Sequence, residues 1–320
     1  MGAELSIQNG ATIYYPIVKD SVKLSWERKG VPGKLEFTVV KDSVLDFQEG
    51  NPVWFTYNGT TLFHGFVFTK KRKANSVTID VIAYDQLRYL KNKDTIIEEG
   101  LKASDLLKRL ADDFRLHLGT VEDTGYTLET IVEENQTLFD MMQNALDETL
   151  TNTGSLFCLY DDAGKLTLKN INSMKLDLLI DAQTGETFDY ESSIDEQTYN
   201  KVKLVYNNDK TGKRQAFIAQ DGAKMNLWGV LQYFESVQSP IGAAEKANAL
   251  LKLYDQKTRR LSITNAFGDV RVRAGSAVVI ALDLGDIIVS QYFMAERVTH
   301  KFEKEQHVMD LVLVGGEFIA

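Results

Sequence analysis

Polar and apolar residues alternate along three early stretches: KLEFTVV (34–40), PVWFTYNGTTLFHGFVF (52–68) and SVTIDVIAYD (76–85). Each is rich in Val, Ile, Phe, Tyr and Thr, so each reads as a half-buried strand. Asn58-Gly59 predicts a tight hairpin turn, because both residues tolerate positive φ. Close turns between short strands predict a small antiparallel barrel over 1–95. The period changes after Asp94. Leu106, Leu107, Leu110, Phe114 and Leu118 recur at helical spacing, predicting a helix capped by Ser104 and ended by Gly119. Leu138, Met141, Met142, Ala145 and Leu146 predict a second helix over about 137–150. Both stripes read as packing surfaces.

SLFCLYDDAGKLTLKN (155–170) then reads as a hairpin turning at Asp161-Asp162-Ala163-Gly164. Leu156, Cys158 and Tyr160 share one face, so Cys158 is expected as a small buried hydrophobe rather than a nucleophile. From Tyr199 onward strands are predicted in NKVKLVYNND and KRQAFIAQD, joined by a turn at Lys210, Thr211 and Gly212. WGVLQYFESV (228–237) reads as extended and 243–256 as a helix. RRLSITNAF, GSAVVIAL, QYFMAERVTHKF and HVMDLVLV read as further strands. The expected units are a first barrel (1–95), a helical insert (96–155), a small hairpin region (156–198) and a second barrel (199–320). The fold class is mainly β with α insertions.

Charge sharpens this division. The net charge is −9. The stretch 98–150 holds 13 acidic and 4 basic residues, and so accounts for all of that excess. Sequence-specific nucleic-acid binding needs a basic face, which argues against it here. The one basic run, Lys70-Lys71-Arg72-Lys73, reads as a solvated hairpin tip. No apolar run is long enough for a membrane span, and the start of the chain has no secretory pattern. One cysteine in 320 residues leaves no internal disulfide and suits synthesis in a reducing cytoplasm.

The densest candidate chemistry lies at YFMAERVTHKFEKEQHVMDLVLV (292–314), with His300, His307, Glu296, Glu303 and Glu305. A four-residue loop, Glu303 to Gln306, pairs Phe302 with His307 and His300 with Met309. Val298, His300, Phe302, His307, Met309, Leu311 and Leu313 then share a core face. Zinc needs three or four converging ligands, but Glu303 and Glu305 fall in the loop and Glu296 lies off the face. A packed histidine pair is therefore expected, not a metal site or a catalytic dyad. No G-x-S-x-G, Walker, H-E-x-x-H or G-x-G-x-x-G motif occurs. The carboxylates of 98–150 fall on the polar sides of helices rather than as an acid/base pair. Catalytic, cofactor-binding and metal residues are all expected to be absent.

The two β regions also repeat a pattern. LFHGFVFTKKRKANSVTIDVIAYD corresponds to YFMAERVTHKFEKEQHVMDLVLVGG, which suggests one small barrel used twice. On the first copy, Phe66, Phe68, Val77, Ile79 and Val81 are expected on the face equivalent to the histidines'.

The order Trp228-Gly229, an Ala-rich helix, Gly268-Asp269, Ala274-Gly275-Ser276 and the His300/His307 hairpin resembles the XkdQ/YqbQ family of phage-like elements. That family is related to late control D proteins and to baseplate hubs of contractile tails. The resemblance is specific over the C-terminal third and looser over the first 95 residues. It implies a non-enzymatic structural hub of a phage tail, tailocin or contractile injection particle. In such a hub, three subunits with two tube-like barrels each form a ring that joins a sixfold tail tube to a threefold spike. The implied partners are other copies of the chain, a central spike, a tube or tube-initiator protein, and wedge proteins meeting the acidic middle. The implied location is the baseplate of the virion or particle. Alternatives are a tail-associated cell-wall hydrolase and a carbohydrate- or host-binding β module. Aromatics, at 10%, mostly alternate into predicted cores.

Overall fold

The computed structural model describes residues 2–315 except 186, 196, 209–211, 238–239, 286–287 and 305. Lys210, Thr211 and Glu305 lie outside the described residues. The first part is seven strands: β1 (Ala3–Asn9), β2 (Thr12–Tyr14), β3 (Val18–Glu27), β4 (Lys34–Val40), β5 (Pro52–Tyr57), β6 (Thr60–Arg72) and β7 (Thr78–Tyr84). Asn58 and Gly59 turn β5 into β6 with φ of 49° and 83°, as their residue types foretold. The middle runs β8 (Lys93–Lys102), α1 (Ala103–Asp113), β9 (Leu118–Val121), β10 (Thr127–Thr137), α2 (Leu138–Thr153), β11 (Phe157–Asp161) and β12 (Leu166–Asn170). The remainder is β13 (Lys175–Asp181), β14 (Thr187–Ser193), β15 (Lys201–Asn208), β16 (Lys213–Gln220), α3 (Gly222–Trp228), β17 (Gln232–Val237), α4 (Ala243–Tyr254), β18 (Thr258–Phe267), β19 (Ala277–Asp283), β20 (Ile288–Glu303) and β21 (Gln306–Gly315). The protein is mainly β with helical insertions.

Strand pairing turns the sequence repeat into a topological one. In the first half the order is β3-β4-β7-β6-β5, with β1 on the far side of β5. In the second half it is β14-β18-β21-β20-β19, with β13 on the far side of β19. The same six strands, taken in chain order, occupy the same six places. Two differences stand out. β1 joins β5 antiparallel, whereas β13 joins β19 in parallel, so the second half is not wholly antiparallel. β13 enters from the middle region rather than through a hairpin, and parallel pairing follows from that approach. The first half also passes from β3 to β4 in a few residues, where the second half inserts β15 to α4.

The halves curl around separate cores. Leu24, Leu35, Phe37, Phe55, Phe63 and Val81 fill the first; Ile180, Ile263, Ile280, Phe293, Met309 and Leu311 fill the second. They are nonetheless one hydrogen-bonded sheet of 13 strands, because β20 pairs with β3 from Arg297↔Glu27 to Phe302↔Val22. A bulge at Ala295/Arg297 lets β20 serve both halves. Phe302 belongs to the first core and Phe293 to the second.

Several expectations need correction. The first helix stops at Asp113; Arg115 follows at φ 54°, and Gly119 lies in β9 beside Thr167. Its N-cap is Lys102, not Ser104. The stretch 96–155 is not all helical, because β8 and β10 pair antiparallel as a ribbon against α1 and α2. β13 and β14 leave the hairpin region for the second half. Residues 201–237 form their own sheet, β16-β15-β17, packed on α4, and Trp228 ends a short helix rather than starting a strand. In the first half, Phe63 and Val67 point into the core, while Phe66 and Phe68 pack outside against Tyr89. Val77 is exposed, whereas Ile79 and Val81 are buried as expected. A register shift between Val67 and Thr69 re-phases the end of β6.

Candidate functional site

The seam between the halves holds the histidine pair that the sequence singled out. The β20–β21 hairpin pairs His300 with Met309 and Phe302 with His307, as the alternation predicts. The loop is two residues tighter than expected, because Glu303 also pairs with Gln306. His300 is 1% exposed. Its Nε2–H donates to the Val272 carbonyl at 2.8 Å. A carbonyl only accepts, so His300 Nδ1 is left as an acceptor and takes the Nε2–H of His307 at 2.8 Å. Both rings are thereby held neutral. Burial, and for His300 the neighbouring His307, lower their pKa values from 6.5 to about 3 for His300 and about 4 for His307.

Aromatic packing locks the pair. His307 stacks on Phe302 with centroids 4.3 Å apart and meets Tyr57 edge-on at 5.2 Å. Trp26 meets His300 edge-on at 5.4 Å. Gly268 lies flat against His307; a β-carbon there would fall 2.2 Å from the ring. His300 is thus enclosed, while His307 is half-buried beside it. Neither Glu296 nor Glu303 joins the pair. Glu296 sits in the bulge and pairs with Arg28 at 2.6 Å, and Glu303 is exposed. Among the described residues, no three His, Cys, Asp or Glu side chains are grouped to hold a metal ion.

A second buried cluster, not foreseen from the sequence, pins the middle region to the seam. Arg273 reaches across to the Asp161 carbonyl at 2.6 Å and the Asp162 carboxylate at 3.1 Å. Its guanidinium lies over the Tyr160 ring at 3.9 Å and near Trp26 at 5.1 Å. Asp85, 1% exposed, accepts from the Gly33 and Leu87 amides. Burial, and then the nearby Asp161, push its pKa well up; burial likewise raises Asp161 to about 6. Gln86 donates to the carbonyls of His117 and Gly164 and accepts from the His117 amide. The sequence carried one signal for this cluster: an Asp directly after a strand, ahead of a helical turn, is a capping residue. Its partner Gly33 lies 52 residues away along the chain, and Arg273 lies 112 from Asp161.

The remaining sequence candidates are structural. Cys158 is buried at 1% exposure, with Leu156 and Tyr160 in one cluster, and burial pushes its thiol up to about 11. Lys70 donates to the Phe47 carbonyl and lies over its ring, while Lys71, Arg72 and Lys73 are exposed. A cleft of about 630 Å³ between α2, α4 and the β20–β21 hairpin is walled by ion pairs. Among them are Lys246–Glu235 at 2.8 Å and Lys29–Asp147 at 3.2 Å. Among the described residues, no helix is long and apolar enough to cross a membrane.

Comparison with known proteins places this architecture. A family model described as YQBQ-like matches residues 22–314. The phage-like element PBSX protein XkdQ of Bacillus subtilis (strain 168) is 29% identical over 313 residues, covering 95% of this chain and 94% of that protein. Among solved structures, the 43 kDa tail protein of prophage MuSo2 from Shewanella oneidensis superposes with a TM-score of 0.71 at 12% identity. That match covers 99% of this chain and 100% of that one. The E. coli c3393 protein matches with a TM-score of 0.60 at 11% identity, over 99% of this chain and 78% of that one. It is described as a type VI secretion component structurally similar to the T4 tail proteins gp27 and gp5. At such identities the likeness is one of fold.

Proposed function

The chain belongs to the YQBQ-like family, and from that membership we propose that it is a structural component of a phage-tail-like particle, the hub of its baseplate. Three subunits form a ring joining a sixfold tail tube, or its initiator, to a threefold spike, with wedge proteins outside. The observation that carries this reading is the topological repeat: six strands in one half take the same places as six in the other, and β3–β20 pairing holds the halves side by side. A trimer whose subunit offers two similar units presents six to a sixfold neighbour and three whole subunits to a threefold one. The tail-protein fold and the relative's name as a phage-like element point the same way.

The role is mechanical rather than catalytic. The chain is made in the bacterial cytoplasm and ends in the baseplate of the particle. The seam supports this role: His300 is enclosed and paired with half-buried His307, and Asp85 is buried against backbone amides. Light scattering behind a sizing column tests the reading, with and without the spike protein of the same particle. Three chains per particle is the expected mass. A monomer in both conditions overturns the ring. Turnover of purified cell wall by the isolated chain would overturn the mechanical role.

A further inference from the structure

The layers of the middle region contact one another in series. The β8–β10 ribbon lies on α2, α2 touches α4, and α4 covers the β16-β15-β17 sheet. The ribbon turns Ile96 and Ile131 toward the helices, and the sheet turns Val202, Leu204 and Ala219 toward α4.

Both outer faces are apolar at the centre. On the ribbon, Ile97 and Val132 are directly paired and 68% and 64% exposed. On the sheet, Ile218 and Phe234 flank Lys203 in one row and are 54% and 56% exposed. Leu227 and Val230, also exposed, extend this patch at the Lys201 end, where the Lys201 amide bonds the Leu231 carbonyl. Lone exposed apolar residues are ordinary, but clustered ones mark contacts.

The borders carry opposite charge. Glu99 is two residues from Ile97, and Glu134 two from Val132, in the stretch that holds the chain's whole acidic excess. Lys201 and Lys203 alternate with inward-facing Val202 and Leu204, so they share the face of Ile218 and Phe234. No ion pair within the described residues takes up any of these four charges.

We propose that these faces are the two sides of one contact between copies of this chain, with the β16-β15-β17 sheet of one copy seated on the β8–β10 ribbon of the next. Apolar centre meets apolar centre, and Lys201 and Lys203 meet Glu99 and Glu134. The faces differ, so the contact is head-to-tail and generates a closed ring or an open helix. Its closure at three rests on the ring reading above. The second copy is the occupant because the chain itself carries a surface complementary in both charge and apolarity. Complementary charges also fix register and partner choice.

The test uses the full chain with Val132→Cys and Phe234→Cys, singly and together, treated with a short bis-maleimide cross-linker. Cys158 is buried, so background is low. The double variant is expected to give linked species ending at three chains, and each single variant none. A Lys201→Glu/Lys203→Glu variant is expected to raise the self-dissociation constant by about tenfold or more, with Glu99→Lys/Glu134→Lys in the same chain restoring it. A wild-type mass of three chains with no cross-link overturns this contact, leaves the ring reading standing, and assigns the two faces to other proteins. A monomer alone and with the spike protein, again without cross-link, overturns both.

Discussion

Acidification tests the histidine pair most directly. An unfolded histidine takes up its proton near 6.5, whereas burial holds folded His300 down to about 3. Between these values the unfolded chain binds a proton that the folded chain refuses. The pair's contribution to stability is complete above about 6.5 and drains away as pH falls toward 3. The slope is about 1.4 kcal/mol per pH unit for one fully buried group. From pH 6.5 to 5, His300 alone therefore costs about 2 kcal/mol, and half-buried His307 adds a smaller amount. Asp85 and Asp161 work against this trend, since raised carboxyl pKa values favour the folded state in acid. The comparison that isolates the histidines is wild type against a His300→Met/His307→Phe double variant, which cancels the carboxylates. Thermal unfolding should show the wild type losing about 4 °C more than the variant between pH 7 and 5, at roughly 2 °C per kcal/mol for a chain of this size. Ring-nitrogen NMR on histidine-labelled protein should show His300 as the Nε2–H tautomer, without titration above pH 4. A His300 ring titrating near 6.5, or equal acid sensitivity in the two proteins, refutes the reasoning.

Other outcomes follow from the same geometry. Gly268→Ala places a methyl group against His307 and should cost about 1–3 kcal/mol by overpacking, measured by denaturant unfolding. Arg273→Lys keeps the charge but loses the planar stack on Tyr160 and the two-pronged hold on Asp161 and Asp162. A loss of about 2–3 kcal/mol is expected, with limited proteolysis opening the middle region first. Cys158, buried and with its thiol pushed up to about 11, should react with a thiol reagent only as fast as the protein unfolds. Fast labelling of the native chain would contradict its burial.

Much of the fold was legible because it is local. Strict alternation set which residues of 292–314 face inward, so the pairing of His300 with Met309 followed from the pattern and a tight loop. Asn58-Gly59 marked its own turn. The repeat, too, was visible as a pattern of strands before any pairing was known. Elsewhere the reading slipped: β6 carries aromatic residues on both faces, so residue type did not show that Phe63 rather than Phe66 and Phe68 points inward, and Val77 precedes β7. The first helix was read too long because Leu118 keeps the helical spacing after the backbone has already turned at Arg115.

Residue pattern alone set the class of the molecule, its duplicated strand pattern, the packed histidine hairpin and the place where acidic charge collects. These depend on side-chain period and composition, which act between near neighbours in the chain. Only the tertiary structure decided that β20 and β3 fuse the halves into one sheet, that β13 and β14 leave their hairpin for the second half, and that Arg273 meets Asp161 and Tyr160 at the seam. Each of these joins segments far apart along the chain. Which strand edge or charge finds which is settled by the packing of whole layers, and no local pattern of residues encodes that choice.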